Sequence, residues 1–275
     1  MEILMNKFSY PLVMTLAMLI AAAPANAQRG PQVINIPISK PGEPIYLEIE
    51  IQSARIEVVG EDREDAMFEV SIADAERRIV TPSGSQVIKG GAYALEIEEE
   101  DNEIYFQTDW RTNKVTVLAR VPRQANLSLK TINDGEIIVS NITGMLELAN
   151  VNGPITATGI SGSVIAEAIN DTITLSFDRI DDANATSFES INGDLHLGLP
   201  GNMGVQLQID TAQGEIFSDY DDVEVLPSEP VVRRSDEDGG SAIRIENAIV
   251  AKVNGGGPVV RMKSLYGDIY IEKAE

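Results

Sequence analysis

Apolar and polar residues alternate along most of the chain beyond about residue 30. In the segment 47–52, Leu47, Ile49 and Ile51 alternate with charged or polar residues, and the segment 115–120 shows the same period of two. Successive side chains of a β-strand point to opposite faces, so this period predicts strands with one buried and one solvated face. No stretch shows the 3.6-residue period of a helix. We therefore predict an all-β protein.

A short pattern repeats through the middle of the chain: a small or turn residue, any residue, and then an aliphatic residue that opens a new alternation. The copies NDGEI, VNGPI, INDTI, INGDL and AQGEI end at Ile137, Ile155, Ile173, Leu195 and Ile216, at spacings of 18, 18, 22 and 21 residues. A sixth copy, LYGDI, contains Ile269. Repeats of about 20 residues are typical of solenoids, in which each coil buries its apolar edge against its neighbours. We predict a right-handed parallel β-helix (β-solenoid) with two strands per coil.

The turn of each repeat carries glycine and asparagine at fixed positions. Glycine stands two residues before the aliphatic residue in most copies, at Gly135, Gly153, Gly193, Gly214 and Gly267. A positive φ at a coil corner would explain this choice, and Asp171, which fills the position in the third copy, tolerates such a conformation. The preceding asparagines are Asn152, Asn170 and Asn192. They either stack as an internal amide ladder or each cap their own turn.

The repeats divide the chain into three predicted regions. Residues 28–125 have irregular spacing and are expected to form a strand-rich N-terminal cap or a run-in to the solenoid, which occupies residues 126–275. Residues 226–246 break the period with two prolines, adjacent glycines and an acidic cluster, so we predict an inserted loop there.

Residues 1–27 have the pattern of a secretory signal peptide. Lys7 precedes an uncharged run from Leu12 to Ala23, which is followed by Pro24 and small residues, so cleavage is predicted before Gln28. The run is too short for a membrane-spanning helix, which needs roughly 20 apolar residues. The mature protein is therefore expected to be exported, periplasmic or at the cell surface, and not inserted in a membrane.

The composition excludes several kinds of chemistry. The 275 residues carry 43 Asp and Glu against 21 Lys and Arg, a net charge of −22, which argues against nucleic-acid partners. Without cysteine, and with one histidine, the chain has no disulfides, no thiolate or multi-histidine metal site and no cysteine nucleophile. We expect no cofactor. The acidic residues fall mostly on the solvated side of the alternations, where they keep strand edges from pairing with other molecules.

The order of the repeats resembles a known family. The run PRQANLSLKTINDGEIIVSNITG, followed by NGPITATGISG, INGDLHLGLP and TAQGEI, is similar to the putative-adhesin β-strand-repeat family of exported bacterial proteins, a domain of unknown function. The resemblance covers about residues 45–275 and includes Pro122 ahead of Leu127 and Leu129. It implies a parallel β-helix-like fold at or beyond the bacterial inner membrane, with no catalytic motif. Asp171 and the inserted loop depart from the family pattern.

Three groups of residues are candidates for site chemistry. His196 is the one conventional general base, but it lies between Leu195 and Leu197 in an alternating strand and is expected on the solvent face. Carboxylate clusters offer ligands for calcium or acids for polysaccharide cleavage, although none matches a calcium-loop template; they are Asp178, Asp181 and Asp182, then Asp219, Asp221 and Asp222, and then Asp236, Glu237 and Asp238. The aromatic residues Tyr105, Phe106 and Trp110 form either a sugar-stacking platform or ordinary core packing.

The stacked repeat without site chemistry favours a non-catalytic protein. We expect an exported β-solenoid that acts as an adhesin-like structural or interaction module of the bacterial cell envelope, with a protein or glycan partner. Two alternatives stay open at this point: a polysaccharide-active enzyme that uses carboxylates on the solenoid flank, and a sensor or regulatory partner in envelope-stress signalling. No catalytic or metal-binding residue is assigned.

Overall fold

The computed structural model describes residues 31–72, 95–108, 114–133, 135–182, 184–227, 231–237, 240–246 and 248–274, with 231–237 and 240–246 described by their backbone alone. All regular elements within these ranges are β-strands, which confirms the all-β class. No helix in this part of the chain is long and apolar enough to cross a membrane. The predicted signal peptide, residues 1–27, lies outside the described residues.

The described chain contains 22 strands. In chain order they are β1 (Gln32–Pro37), β2 (Ile45–Ile51), β3 (Ala54–Glu61), β4 (Asp65–Ile72), β5 (Leu95–Glu100), β6 (Glu103–Thr108), β7 (Val115–Pro122), β8 (Ala125–Thr131), β9 (Ile137–Ser140), β10 (Thr143–Asn150), β11 (Ile155–Ala168), β12 (Ile173–Ile180), β13 (Thr186–Ser190), β14 (Leu195–Leu199), β15 (Val205–Thr211), β16 (Ile216–Ser218), β17 (Val223–Leu226), β18 (Val231–Glu237), β19 (Gly240–Glu246), β20 (Ile249–Val253), β21 (Val259–Ser264) and β22 (Ile269–Lys273).

Twenty of these strands form one sheet of mixed orientation, while β18 and β19 form a separate pair. The pairings divide the large sheet into two rows, which share the long strand β11. Row A runs β5–β6–β2–β8–β10–β11–β13–β21–β15–β20–β17. Row B runs β1–β4–β7–β3–β9–β11–β12–β14–β22–β16.

The coil register predicted from the repeats is confirmed in row B. Ile155 pairs in parallel with Ile137 on one side and with Ile173 on the other, and Ile173 pairs with Leu195. All four side chains are fully buried. Thr156, the next residue along β11, faces outward and is half-buried. The period-two pattern therefore places one aliphatic residue per coil in a continuous buried column.

A parallel β-helix is not confirmed, because the stacking order departs from the chain order at both ends. In row A, β2 lies between β6 and β8, and β21 lies between β13 and β15. In row B, β22 lies between β14 and β16, so Ile269 stacks between Leu195 and Ile216. Antiparallel pairs also flank the parallel coils, namely β1–β4, β4–β7, β5–β6, β15–β20 and β17–β20. Through this intercalation the last repeat, β21 and β22, lies between two other coils and is paired on both sides.

One hydrophobic core lies between the two rows. Its buried residues come from both rows and are mainly isoleucine, leucine, valine and alanine. Phe68 of row B and Phe106 of row A meet across it, with ring centroids 5.7 Å apart. The inward side chains of both rows share this core, which explains why the apolar residues of the alternating pattern lie on one buried face of each strand.

The glycines at the coil corners have a different role from the one predicted. None of the five has a positive φ, so the predicted left-handed corner is wrong. A Cβ atom on Gly153 would lie 1.7 Å from the carbonyl oxygen of Gly135, and one on Gly193 would lie 1.9 Å from that of Asp171. Glycine is therefore required at these five corners because the backbone of the neighbouring coil approaches too closely for a side chain, whereas the corner at Asp171 accepts one.

Buried hydroxyl groups satisfy the backbone at these corners. The Ser190 hydroxyl accepts a hydrogen bond from the Gly193 amide at 2.9 Å and donates one to the Asp171 carbonyl at 3.1 Å. Ser264 repeats the arrangement one coil further, with the Gly267 amide at 2.9 Å and the Gly193 carbonyl at 3.1 Å. Both serines are buried. A hydroxyl three residues before glycine thus closes each of these corners without leaving a buried donor unpaired.

Strands from the predicted cap pair with strands from the predicted solenoid. β2 and β3 come from the predicted cap and pair with β8 and β9 of the predicted solenoid. The segment predicted as an inserted loop contains the hairpin β18–β19, whose register pairs Val231 with Glu246 and Glu237 with Gly240.

Candidate interaction surface

A row of exposed aliphatic side chains runs along one corner of the coils. We call it the apolar ridge; its members are Ile132, Val151, Ile169, Ile191 and Leu265. Each follows directly on the last inward residue of a row A strand, and successive row A strands pair in register. Four of the five are between 39% and 45% exposed, and Val151 is half-buried. At about 4.8 Å per strand, five coils make a ridge of about 19 Å.

An asparagine ladder runs beside the ridge. The Asn170 amide nitrogen donates to the Asn152 side-chain oxygen at 2.7 Å, and the Asn192 amide nitrogen donates to the Asn170 oxygen at 2.8 Å. Asn152 in turn donates to the carbonyl of Ile132 at 3.0 Å. The predicted ladder therefore forms, but it is exposed and not internal. Each asparagine links two coils, and the ladder fixes the surface next to the ridge.

Two ion pairs lie near the ridge. On the outer face of row A, Lys130 forms an ion pair with Glu147 at 2.9 Å. One strand, β11, separates this pair from a second one, in which Lys263 lies 2.6 Å from Glu189. Exposed pairs of this kind contribute little to stability. Glu50 and Glu167 are further exposed carboxylates on this face, so the side of the ridge keeps the acidic character of the chain.

A groove of about 380 Å³ adjoins the first member of the ridge. Ile132 lines it together with Glu50, Lys130 and Tyr105, so apolar, acidic, basic and aromatic groups meet there. The Tyr105 hydroxyl donates to Glu103 at 2.7 Å, and this hydrogen bond to a carboxylate raises the pKa of Tyr105 to about 12. The groove extends the surface of the ridge with hydrogen-bonding groups.

The aromatic residues singled out in the sequence are separated by the fold. Phe106 is buried against Phe68, which agrees with the core-packing interpretation. Tyr105 faces outward and meets Tyr46 edge-on, with centroids 6.1 Å apart. Trp110 lies outside the described residues. The described part of the predicted platform therefore contains a single outward ring, Tyr105.

His196 faces outward, as predicted, and belongs to a stack of rings that the sequence did not indicate. We call the stack the aromatic ladder: His196 lies 4.5 Å from Tyr270, and Tyr270 lies 5.1 Å from Phe217, with nearly parallel planes. The His196 Nδ1 atom is 3.2 Å from a carboxylate oxygen of Glu272. Burial, with a smaller contribution from the charge of Asp268, raises the pKa of Tyr270. No nucleophile is placed against His196 by these contacts.

The acidic clusters do not converge on a metal site in the described chain. No group of three or more acidic or histidine side chains comes together there. Asp181 accepts a hydrogen bond from Asn184 at 3.3 Å, and Asp221 lies 3.8 Å from Lys273. The side chains of residues 236–238 lie outside the described part.

The ridge was missed in the sequence because its members occur once per coil and form no pattern within any one strand. The signal that identifies them is the residue before each turn asparagine, as in VNG, IND and ING. The residue before this asparagine is aliphatic in four copies, at Ile132, Val151, Ile169 and Ile191, and Leu265 precedes Tyr266 in the last copy. The aromatic ladder carries no comparable signal, because β16 and β22 are brought together by the intercalation of the last coil.

Comparison with known proteins gives weak similarities. No family model matches the chain, and no curated protein matches it. Among solved structures, it is similar to a putative cell adhesion protein of Clostridium sporogenes, with 11% identity over 89% of this chain and 100% of that chain and a TM-score of 0.42. A putative adhesin of Bacteroides fragilis gives 10% identity, 90% and 98% coverage and a TM-score of 0.41. Similarities this low do not establish a function.

Proposed function

We propose that the mature chain is a non-catalytic, exported interaction module of the bacterial cell envelope with an adhesin-like role. The apolar ridge is the observation that carries this proposal. Single exposed apolar residues are ordinary on protein surfaces, whereas an aligned apolar strip indicates a binding surface. The ridge repeats one exposed aliphatic position over five coils, from Ile132 to Leu265.

The neighbours of the ridge favour a partner that combines apolar and hydrogen-bonding groups. The asparagine ladder satisfies part of its own hydrogen bonding, and the closest lysines are already paired with glutamates. A partner can therefore cover these lysines without leaving a buried lysine unpaired, which would be costly, and it can donate hydrogen bonds to the exposed carboxylates of Glu50 and Glu167. Protein and glycan partners both meet this requirement.

We interpret the central coils as a short parallel β-solenoid that keeps the ridge straight. The parallel registers from β9 through β14 and from β8 through β13 support this interpretation. In such a scaffold one position per coil repeats at the strand spacing, so a surface can extend in one direction without a separate binding loop.

Export is supported by the pattern of residues 1–27. The proposal is tested by incubating the mature protein, residues 28–275, with envelope fractions of the bacterium that encodes it. We expect saturable retention on one fraction and no turnover of a panel of acidic polysaccharides. Turnover would favour the polysaccharide-active alternative, and no retention on any fraction would contradict the envelope role.

A further inference from the structure

The two rows of the sheet end at different places, and the difference leaves a step at the C-terminal end of the core. β15 and β16 belong to the same coil. Beyond β15, row A continues with β20 and β17, whereas row B ends at β16, which pairs among the described strands with β22 alone. We call this step the notch: the open edge of β16 together with the core-facing side of β20 and β17.

The notch exposes side chains that the register directs toward the core. Leu207 of β15 pairs with Ala251 of β20, and Ala251 pairs with Val225 of β17, so these three share the core-facing side. Leu207 and Ala251 are buried, but Val225 is 66% exposed. Ile249, which pairs with the buried Ile209, is 40% exposed. These side chains are uncovered because row B has no described strand opposite β20 and β17.

The open edge of β16 also carries backbone groups that have no hydrogen-bond partner among the described residues. The Ile269 amide donates to the Glu215 carbonyl, and the Asp219 amide donates to the Ile271 carbonyl, both at 2.9 Å. In a parallel pair, alternate residues bond to the same neighbour. The amide and carbonyl groups of Ile216 and Ser218 therefore point away from β22, toward the notch.

Charge and ring stacking at the notch favour a basic partner. Asp219, Asp221 and Asp222 are exposed directly after β16, and Glu224 is exposed on β17. Lys273 lies 3.8 Å from Asp221, and Lys252 lies beside Glu224 in register, so acidic groups still outnumber basic ones here. Phe217 stacks on Tyr270 with one ring face, and as the last ring of the aromatic ladder it presents the other to the open edge. A cation over an aromatic face is attracted by the ring, and more strongly where carboxylates are close.

We propose that the notch accepts an extended strand from a partner protein, with apolar and basic residues in alternation. The strand adds to the edge of β16 and forms main-chain hydrogen bonds with Ile216 and Ser218. Its apolar residues cover Val225 and Ile249, and its basic residues lie on the outer face near Phe217 and the acidic residues. The acidic edge disfavours pairing with a second copy of this chain, because like charges would meet. The site is separate from the apolar ridge.

The test uses hydrogen exchange at single amides of the mature protein, with a synthetic eight-residue peptide of alternating lysine and valine as the probe. In the free protein, we expect the Ile216 and Ser218 amides to exchange at least about tenfold faster than those of Phe217 and Asp219. The peptide is expected to slow exchange at Ile216 and Ser218 at least about tenfold. A peptide with glutamate in place of lysine is expected to have no effect.

Two variants separate strand addition from simple charge attraction. Val225→Asp adds a negative charge but removes the apolar surface, and since Val225 is exposed the fold is expected to persist. It should abolish protection by the peptide, whereas Glu224→Gln, on the opposite side of β17, should weaken protection only slightly. Equal protection in Val225→Asp would overturn the proposal. Two results in the free protein would also overturn it. If the Ile216 and Ser218 amides are already protected, another segment of this chain covers the edge. If their protection rises with protein concentration, a second copy covers it.

Discussion

The close approach of neighbouring coils at their corners predicts a large penalty for adding one methyl group at Gly193. In Gly193→Ala, the new Cβ would lie 1.9 Å from the carbonyl oxygen of Asp171 and 2.2 Å from its carbonyl carbon. The two coils must separate to relieve this clash, and the hydrogen bond that joins them closest to it runs from the Ser190 hydroxyl to the Asp171 carbonyl. Losing this buried hydrogen bond at about 1 kcal/mol, with about 1 kcal/mol of overpacking, gives a destabilisation of about 2 kcal/mol.

Chemical denaturation followed by far-ultraviolet circular dichroism measures this effect. Gly201→Ala is the matched control, because its Cβ would meet nothing within 4 Å and Gly201 has no positive φ. We expect the control to be neutral or to stabilise by about 0.5 kcal/mol. Gly193→Asn separates the two explanations, since asparagine tolerates a left-handed corner but not a close backbone. A fully stable Gly193→Asn or Gly193→Ala variant would refute the close-approach explanation.

Three further predictions concern the core, the groove and the acidic clusters. Ile155→Asp buries an unpaired charge between Ile137 and Ile173 and should lower the free energy of unfolding by at least about 3 kcal/mol. Thr156→Asp, on the outer face, should lower it by less than about 1 kcal/mol. Equal losses in a denaturation experiment would contradict the register. The pKa of Tyr105 is raised to about 12, so its phenolate absorbance should appear only well above pH 10, and Glu103→Gln should move it back toward the ordinary value. The neutral phenol is the form favoured by folding, so its contribution is present below the ordinary pKa and is lost as pH rises through the folded value. A titration unchanged in Glu103→Gln would exclude the negative charge of the Glu103 carboxylate as the cause. Millimolar calcium is expected to leave the thermal unfolding midpoint unchanged, and an upward shift would show a binding site.

The local structure of the coils was predictable from the sequence because it depends on short-range pattern. The alternation around Ile155 and Ile173 fixed which residues are buried, and the spacing of the repeats fixed which residues pair between neighbouring coils. The corner glycines were also identified correctly as constrained positions. The sequence did not reveal why these positions are constrained. A clash with the neighbouring coil depends on the distance between two segments of the chain, whereas a positive φ is a property of one residue.

The order of the terminal coils was not predictable in the same way. The repeat at Ile269 matches all the others, and nothing in its residues specifies a place between Leu195 and Ile216 rather than after them. This arrangement depends on the path of the chain through β17 and β20, which caps row A with antiparallel strands. The aromatic ladder and the notch follow from this order. They belong to the assembled fold and leave no signal in any one segment.

The apolar ridge was predictable from the sequence only in part. Its residues are adjacent in space because the coils stack in register, and the register was predicted. Its exposure was not predicted, since an isoleucine in a strand-rich repeat is normally assigned to the core. Ile169 and Ile191 are exposed because each follows the last inward residue of its strand, where the chain turns away from the core.

Binding of ridge variants to the envelope fraction that retains the wild-type protein tests the proposed function most directly. Ile169→Lys combined with Ile191→Lys places two charges on adjacent coils of the ridge, and Thr156→Lys combined with Thr174→Lys places the same charges on the outer face of row B. We expect the ridge variant to bind at least about tenfold more weakly, which corresponds to about 1.4 kcal/mol, and the control to bind as the wild type does. Equal binding by the ridge variant and the wild type, with both folded, would contradict the assignment of the ridge as the interaction surface.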